Sequence, residues 1–354
     1  MPRPDPSATH GRGLPWALPA LVLLLVIAFQ GVAAAQSDSY GRRFDTAWNL
    51  VENRYWDLGR TGVDWAAAYG EYRPRALAAR DDGAFYAVLE EMYSLLNDHH
   101  SVFVPPDKVA EVRAMYGDLP CIMVLGDGAG GPLPAARREL VGGFVGAATV
   151  GRAGSGPLEG GGRLANVTYD LMASGVGYVR LPDLATDGAA AAVRSSVTAL
   201  QDAGAWSLVL DLRGNPGGRL VTMMQVAGVF TRGFLWRAIT NWSLPMPYPA
   251  IGLSQTDLPL AVLIDRDVNS AAEGLAGALQ LRGRAVVVGE RSAGNVEALL
   301  PFCLRDGSQA WIATGVLAPI GGPTWEGRGV VPDVAVDPDE ALGAAVDYLE
   351  QRRP

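Results

Sequence analysis

Apolar positions recur at two different periods along this chain, and the change of period divides it. From Tyr40 to about His100 the spacing is helical: Phe44, Trp48, Val51 and Tyr55 step by four, three and four, and Phe85, Val88, Leu89, Met92, Leu95 and Leu96 form a second stripe. Pro74 and the Asp81-Asp82-Gly83 stretch read as punctuation between helices. From Ser174 onward, short continuous apolar runs alternate with helical segments, the pattern of an α/β layer with parallel strands. Strands are expected at 177–181, 207–212, 260–264 and 285–288, and helices over 187–203, from about 219, and over 271–281. A hairpin of 299–304 with 309–316 turns at Asp306-Gly307, and a strand at 334–336 and a helix over 339–351 close the chain. Residues 105–166 carry many turn signals, with short β-like runs at 122–125 and 141–150 that could make a small sheet. The expected organisation is a leader over 1–35, a helical domain over 36–104, a Gly/Pro-rich middle segment over 105–170 and an α/β core over 171–354.

The leader reads as a secretory signal. Arg3 and Arg12 precede an apolar run from about Trp16 to Val32, and Ala33-Ala34-Ala35 forms an A-x-A cleavage site before Gln36. An uncleaved anchor over 14–32 is the competing reading, since the run is nearly long enough to span a bilayer. The small-residue site favours cleavage, so the product is expected to be exported, periplasmic or extracellular, with membrane contact only if the segment is retained.

Composition is that of an ordinary globular chain, 354 residues with 49% hydrophobic and 19% charged, enough for two or three modules. The formal net charge of −8 becomes −9 once the leader is removed, which makes nucleic acid a poor partner. Cys121 and Cys303 could pair in an oxidising compartment, but two cysteines so far apart do not establish a bridge. No spacing of cysteine and histidine suits a metal, and no cofactor is expected. The basic residues narrow the chemistry further: of the 29, only Lys108 is a lysine, and the histidines are His10, His99 and His100 alone. Any reaction needing a lysine or histidine has almost no candidates.

Three strand-to-helix junctions fall in the α/β layer, where ligands collect in such sheets. Ser270 stands at one. Ser270-Ala271-Ala272-Glu273 has the spacing of a capping box, a purely structural device. A serine at a helix N-terminus also has amides and the positive dipole end beside it for a developing oxyanion, and the two roles are compatible. Gly214-Asn215-Pro216-Gly217-Gly218 is either a turn or bare backbone N–H groups offered to a ligand; no phosphate-loop lysine follows it. His99 and His100 end an amphipathic stripe and either complement a helix dipole or supply an imidazole base to a serine nucleophile.

Several of these stretches together resemble the tail-specific or C-terminal processing proteases and their tricorn-core relatives. They are Leu96-Asn97-Asp98-His99-His100-Ser101, Gly177 to Leu181, Leu210 to Gly218, Asn269 to Glu290 and Glu326-Gly327-Arg328-Gly329-Val330-Val331-Pro332-Asp333. The resemblance implies a core like that of the ClpP and crotonase folds behind a helical domain. It implies Ser270 as nucleophile and the Gly217 and Ala271 amides as oxyanion hole. One branch of the family uses a lysine base in a loop matched here by Ser292 to Val296, with Asn295 at the lysine position. The tricorn-type branch uses a histidine, matched by His100, and a glutamate, matched by Glu326. His99 replaces that branch's serine and is a candidate for orienting the imidazole. No carboxylate-binding loop of a PDZ domain is recognisable over 105–170. The expected activity is an exported serine endopeptidase acting on peptides or unfolded proteins, with self-association into a homo-oligomer left open. A non-catalytic peptide or hydrophobic-ligand binder on the same fold is the alternative, and an esterase a third.

Overall fold

The computed structural model describes residues 39–98, 100–116, 121–124 and 161–353. The leader, His99 and the run at 141–150 lie outside the described residues.

Helix α1 spans 39–54, followed by the short α2 (Leu58–Thr61), α3 (Trp65–Leu77) and α4 (Asp82–Ser94). Asp64 and Asp81 cap α3 and α4 by accepting the N–H groups of Ala67 and Ala84. Pro74 lies inside α3 rather than between helices. It forfeits only one hydrogen bond near the C-terminal turn, and the buried face of Trp65, Ala68, Tyr72 and Ala76 holds the helix in place. The stripe expected for α4 is realised as buried Phe85, Leu89 and Met92.

Beyond this bundle lie β1 (Val102–Val104), a short 3₁₀ turn, α5 (Val109–Tyr116) and β2 (Ile122–Met123). The main sheet has seven strands. It opens with an antiparallel pair, β3 (Gly161–Leu164) and β4 (Val167–Leu171), which sequence reading placed in the irregular middle segment. β4 pairs antiparallel with β5 (Val176–Arg180). From β5 the sheet runs parallel through β6 (Ser207–Asp211), β9 (Leu260–Ile264), β10 (Val286–Gly289) and β13 (Val334–Ala335). The continuous apolar strands are continuous because both faces are covered. Leu208, Leu210, Val262 and Ile264 pack against α6 (Ala189–Asp202), α7 (Leu220–Phe230) and α8 (Ala271–Leu281), while Val209, Ala261 and Leu263 face α9 (Ala341–Glu350).

The second sheet contains β7 (Phe234–Ile239), β8 (Met246–Pro249), β11 (Glu297–Cys303) and β12 (Gln309–Pro319) with β1 and β2. β11 and β12 form the expected hairpin across Asp306-Gly307 and are longer than expected at both outer ends. Phe302, Ala310 and Ile312 join the core of the helical bundle, so the bundle and this sheet share one apolar interior. Cys121 and Cys303 are joined by a disulfide, which ties β2 to β11 and fits an oxidising compartment. Among the described residues no helix is long and apolar enough to cross a membrane.

Candidate active site

Strands β6, β9 and β10 are neighbours, so the loops leaving their carboxyl ends meet, as open α/β sheets dictate. They carry Gly217, Ser270 and Asn295. The loop after β6 is held by Asn215, which is fully buried. Its Nδ2 donates to the Leu181 carbonyl at 2.8 Å, and its own carbonyl accepts the Asn269 N–H at 3.0 Å. Sequence reading gave the stretch around Asn215 as a turn or as ligand-facing backbone, with no role for the carboxamide itself; a carboxamide between a strand end and a Pro-Gly-Gly run is the signal that could have marked it.

Ser270 takes φ 54° and ψ −123°, an unfavourable conformation for any residue with a Cβ. Strain of this kind costs on the order of 1–3 kcal/mol and persists only where the surroundings impose it. They do: the Ser270 N–H is shared between the Asn295 carbonyl at 2.9 Å and Glu273 Oε2 at 3.1 Å. Ser270 and Glu273 occupy the two positions of a capping box, in which the Glu273 carboxylate accepts the Ser270 N–H. Ala271 is the first residue of α8, so its N–H has no partner within the helix. The Gly217 N–H donates to Asn215 Oδ1 at 2.8 Å. Gly217 has φ 93°, and a Cβ there would lie 2.8 Å from both the Asn269 carbonyl oxygen and Ser270 Cβ. Only glycine lets the two loops approach this closely.

Glu273 is buried and accepts four hydrogen bonds: from the N–H groups of Ser270, Gly294 and Asn295 and from the Ser292 hydroxyl. Burial pushes its pKa up and these donors oppose the shift. Sequence reading gave this residue a local capping role; its reach across to the β10 loop has no sequence signal.

His100 precedes β1, whose pairing with β12 fixes it against the core. The Asp98 carboxylate accepts the N–H groups of His100 and Ser101 at 3.1 and 2.7 Å and sets the corner. The imidazole Nε2 meets Asn295 Oδ1 at 2.7 Å. Glu326, in the loop after β12, accepts the Val296 N–H at 2.8 Å, and burial raises its pKa while the nearby His100 and Arg60 act in the opposite sense. Ser270, His100 and Glu326 therefore converge on the two residues Asn295 and Val296. Among the described residues no hydrogen bond joins His100 directly to Ser270 or to Glu326.

Beside the imidazole is a cavity of ≈ 310 Å³ lined by Tyr55, Arg60, Asp98, Asn295, Glu297 and Glu326 among others. The Glu297 carboxyl is pushed up to about 8 by burial first, with Asp98 and Glu326 adding repulsion against the opposing Trp56 hydrogen bond. Trp56 Nε1 donates to Glu297 Oε1 at 2.7 Å, while among the described residues Glu297 Oε2 is buried without a hydrogen-bond partner. The proximity of the Asp98 and Glu297 carboxyls has no sequence signal: Asp98 stands in the motif that ends at Ser101, Glu297 stands in none, and the two lie far apart in sequence.

The family model described as Peptidase family S41 matches residues 175–336, and that of the Tricorn protease C1 domain matches residues 38–94. The carboxyl-terminal-processing protease of Picosynechococcus sp. is 28% identical over 382 residues, which cover 92% of this chain and 90% of that protein. The chloroplastic C-terminal processing peptidase of Tetradesmus obliquus is 35% identical over 166 residues, covering 46% of this chain and 36% of that protein. The solved photosystem II D1 C-terminal processing protease shares the fold, with a TM-score of 0.64 at 23% identity, over 88% of this chain and 97% of that one. The mixed α/β fold with its N-terminal helical region is thus that of these proteases, with a ClpP/crotonase-like core. Peptides or proteins are its substrates, and the chain belongs to peptidase family S41, a family of serine peptidases, and carries a tricorn C1-type region ahead of its S41 core.

Proposed function

We propose that this peptidase is exported and cleaves peptide bonds through an acyl-enzyme on Ser270, with His100 as general base. The observation that carries the reading is the strained Ser270 at the start of α8, linked through one residue, Asn295, to the single described imidazole of the core. His100 takes the hydroxyl proton, Ser270 Oγ attacks the peptide carbonyl, and the oxyanion develops beside the Ala271 amide at the positive end of the helix. The Gly217 N–H is the second donor once Asn215 Oδ1 yields it. His100 then protonates the leaving amine and activates the water that releases the acyl group. Glu326 supports the imidazolium electrostatically, and His99 is the remaining candidate for orienting it.

Export rests on the leader composition together with the disulfide, which an oxidising compartment maintains. Membrane contact is confined to chains that keep residues 14–32, and a homo-oligomer is compatible with the fold. The relatives' names make processing near a carboxyl terminus the first activity to assay.

The test is labelling of the protein by a serine-reactive fluorophosphonate alongside peptide hydrolysis. Wild type should label and cleave, Ser270→Ala should do neither, and His100→Ala should lose several orders of magnitude in kcat. Labelling retained in Ser270→Ala, or a folded wild type that neither labels nor cleaves, would overturn the assignment.

A further inference from the structure

The backbone of Asn295 and its side chain do separate jobs. The N–H donates to Glu273 Oε2 at 2.8 Å and the carbonyl accepts the Ser270 N–H at 2.9 Å, so the main chain alone fixes the loop. The carboxamide contributes nothing to that anchoring; its hydrogen bond goes to His100 Nε2 at 2.7 Å. A side chain needed only to shape the loop would have no reason to reach the imidazole.

We propose that Asn295 is a positioning residue for His100, its carboxamide oxygen holding the ring by the Nε2 proton. This rests on the reading of His100 as the general base. A neutral imidazole has one N–H, and the acceptor on its partner decides which nitrogen carries it. Held by Asn295 Oδ1, neutral His100 keeps its proton on Nε2 and its lone pair on Nδ1. While that hydrogen bond lasts, the ring takes up a further proton only at Nδ1. An amide does this without forming an ion pair. The charged groups that share the surroundings are Asp98, Glu297 and Glu326 at the cavity, with Arg60 opposing them, Tyr55 beside Asp98, and Glu273 beneath the loop.

The scarcity of histidine makes the state of the ring directly readable. Nitrogen NMR of the full-length chain labelled with ¹⁵N-histidine, with His100→Gln to assign the signal, reports which ring nitrogen is protonated. Wild type should show His100 protonated at Nε2. Asn295→Ala should lose that preference and fall about 10–100-fold in kcat, as variants of partners that orient metal-binding histidines do, with KM little changed. Asn295→Asp, which keeps an acceptor at the same place, should retain the Nε2 proton and recover most of kcat. The proposal is overturned if Asn295→Ala keeps the wild-type tautomer, or if Asn295→Asp is as impaired as Asn295→Ala in both readouts. Because the tautomer is read without turnover, a protein that fails to cleave peptides would sink the catalytic assignment of Ser270 and still decide the role of Asn295.

Discussion

The Glu273 carboxylate reaches back one helical turn to the Ser270 N–H at 3.1 Å, and the same carboxylate receives the loop that carries Asn295. The position of Ser270 and the shape of the loop beside it therefore depend on one buried acid. Replacing Glu273 with Leu leaves buried donors on Ser270, Ser292, Gly294 and Asn295 without that acceptor. Stability should fall by about 2–4 kcal/mol, and Glu273→Gln, which keeps half of the acceptor capacity, should lie between. Urea denaturation of the three proteins checks the order.

Gly217→Ala should be destabilised by about 1–3 kcal/mol, because φ 93° is strained for alanine and its Cβ would press on Ser270 Cβ. The displaced atoms belong to the candidate nucleophile, so fluorophosphonate labelling should slow by more than the loss of folded protein explains. Labelling rates corrected for folded fraction measure this; equal corrected rates would remove Gly217 from the site.

Glu297 predicts a slope of stability with pH. Its carboxyl is raised from 4.5 to about 8, so the folded state holds a proton that the unfolded chain releases earlier. The associated stability is fully present below about 4.5 and is lost as pH rises through about 8. Glu297→Gln removes the titration. Its melting temperature should vary less between about pH 5 and pH 9, and exceed that of wild type by roughly 2–4 °C at the alkaline end. Melting curves across that range decide it; parallel curves would contradict a buried, protonated Glu297.

The fold was legible where burial is two-sided or periodic. The strand at 260–264 and the helix over 271–281 coincide with β9 and α8, because an apolar run and a capping pair leave little choice. Pro74 was misread because the buried face of α3 outweighs one lost hydrogen bond. The edge strand β3 escaped because its Gly-Gly-Arg-Leu carries no alternation, and β4 went with it although its Val167 and Tyr169 alternate with polar positions. In the site, the structure brings Ser270, His100 and Glu326, each carried by a sequence motif, together around Asn295 and Val296. What the Asn215 carboxamide holds, and the meeting of Asp98 with Glu297 at one cavity, were not legible even though Asn215 and Asp98 stand in those motifs, since they come from contacts between loops that sequence spacing does not encode.

Reduction of the disulfide, or Cys303→Ser, should lower stability by roughly 2–5 kcal/mol, since the bond closes a loop across a sequence separation of 182. Thermal melts with and without reductant measure the loss, and an unchanged midpoint would contradict a structural role for the bond.

That bond also makes residues 121–303 a covalent ring within the linear chain. Ser270, Glu273 and Asn295 lie on the ring, while His100 and Glu326 lie on the two tails that leave it. A single cut anywhere between Cys121 and Cys303, by this peptidase or another, therefore yields two polypeptides that remain one molecule until reductant reaches them. The tail bearing His100 then stays tethered to β11, the strand that follows Asn295.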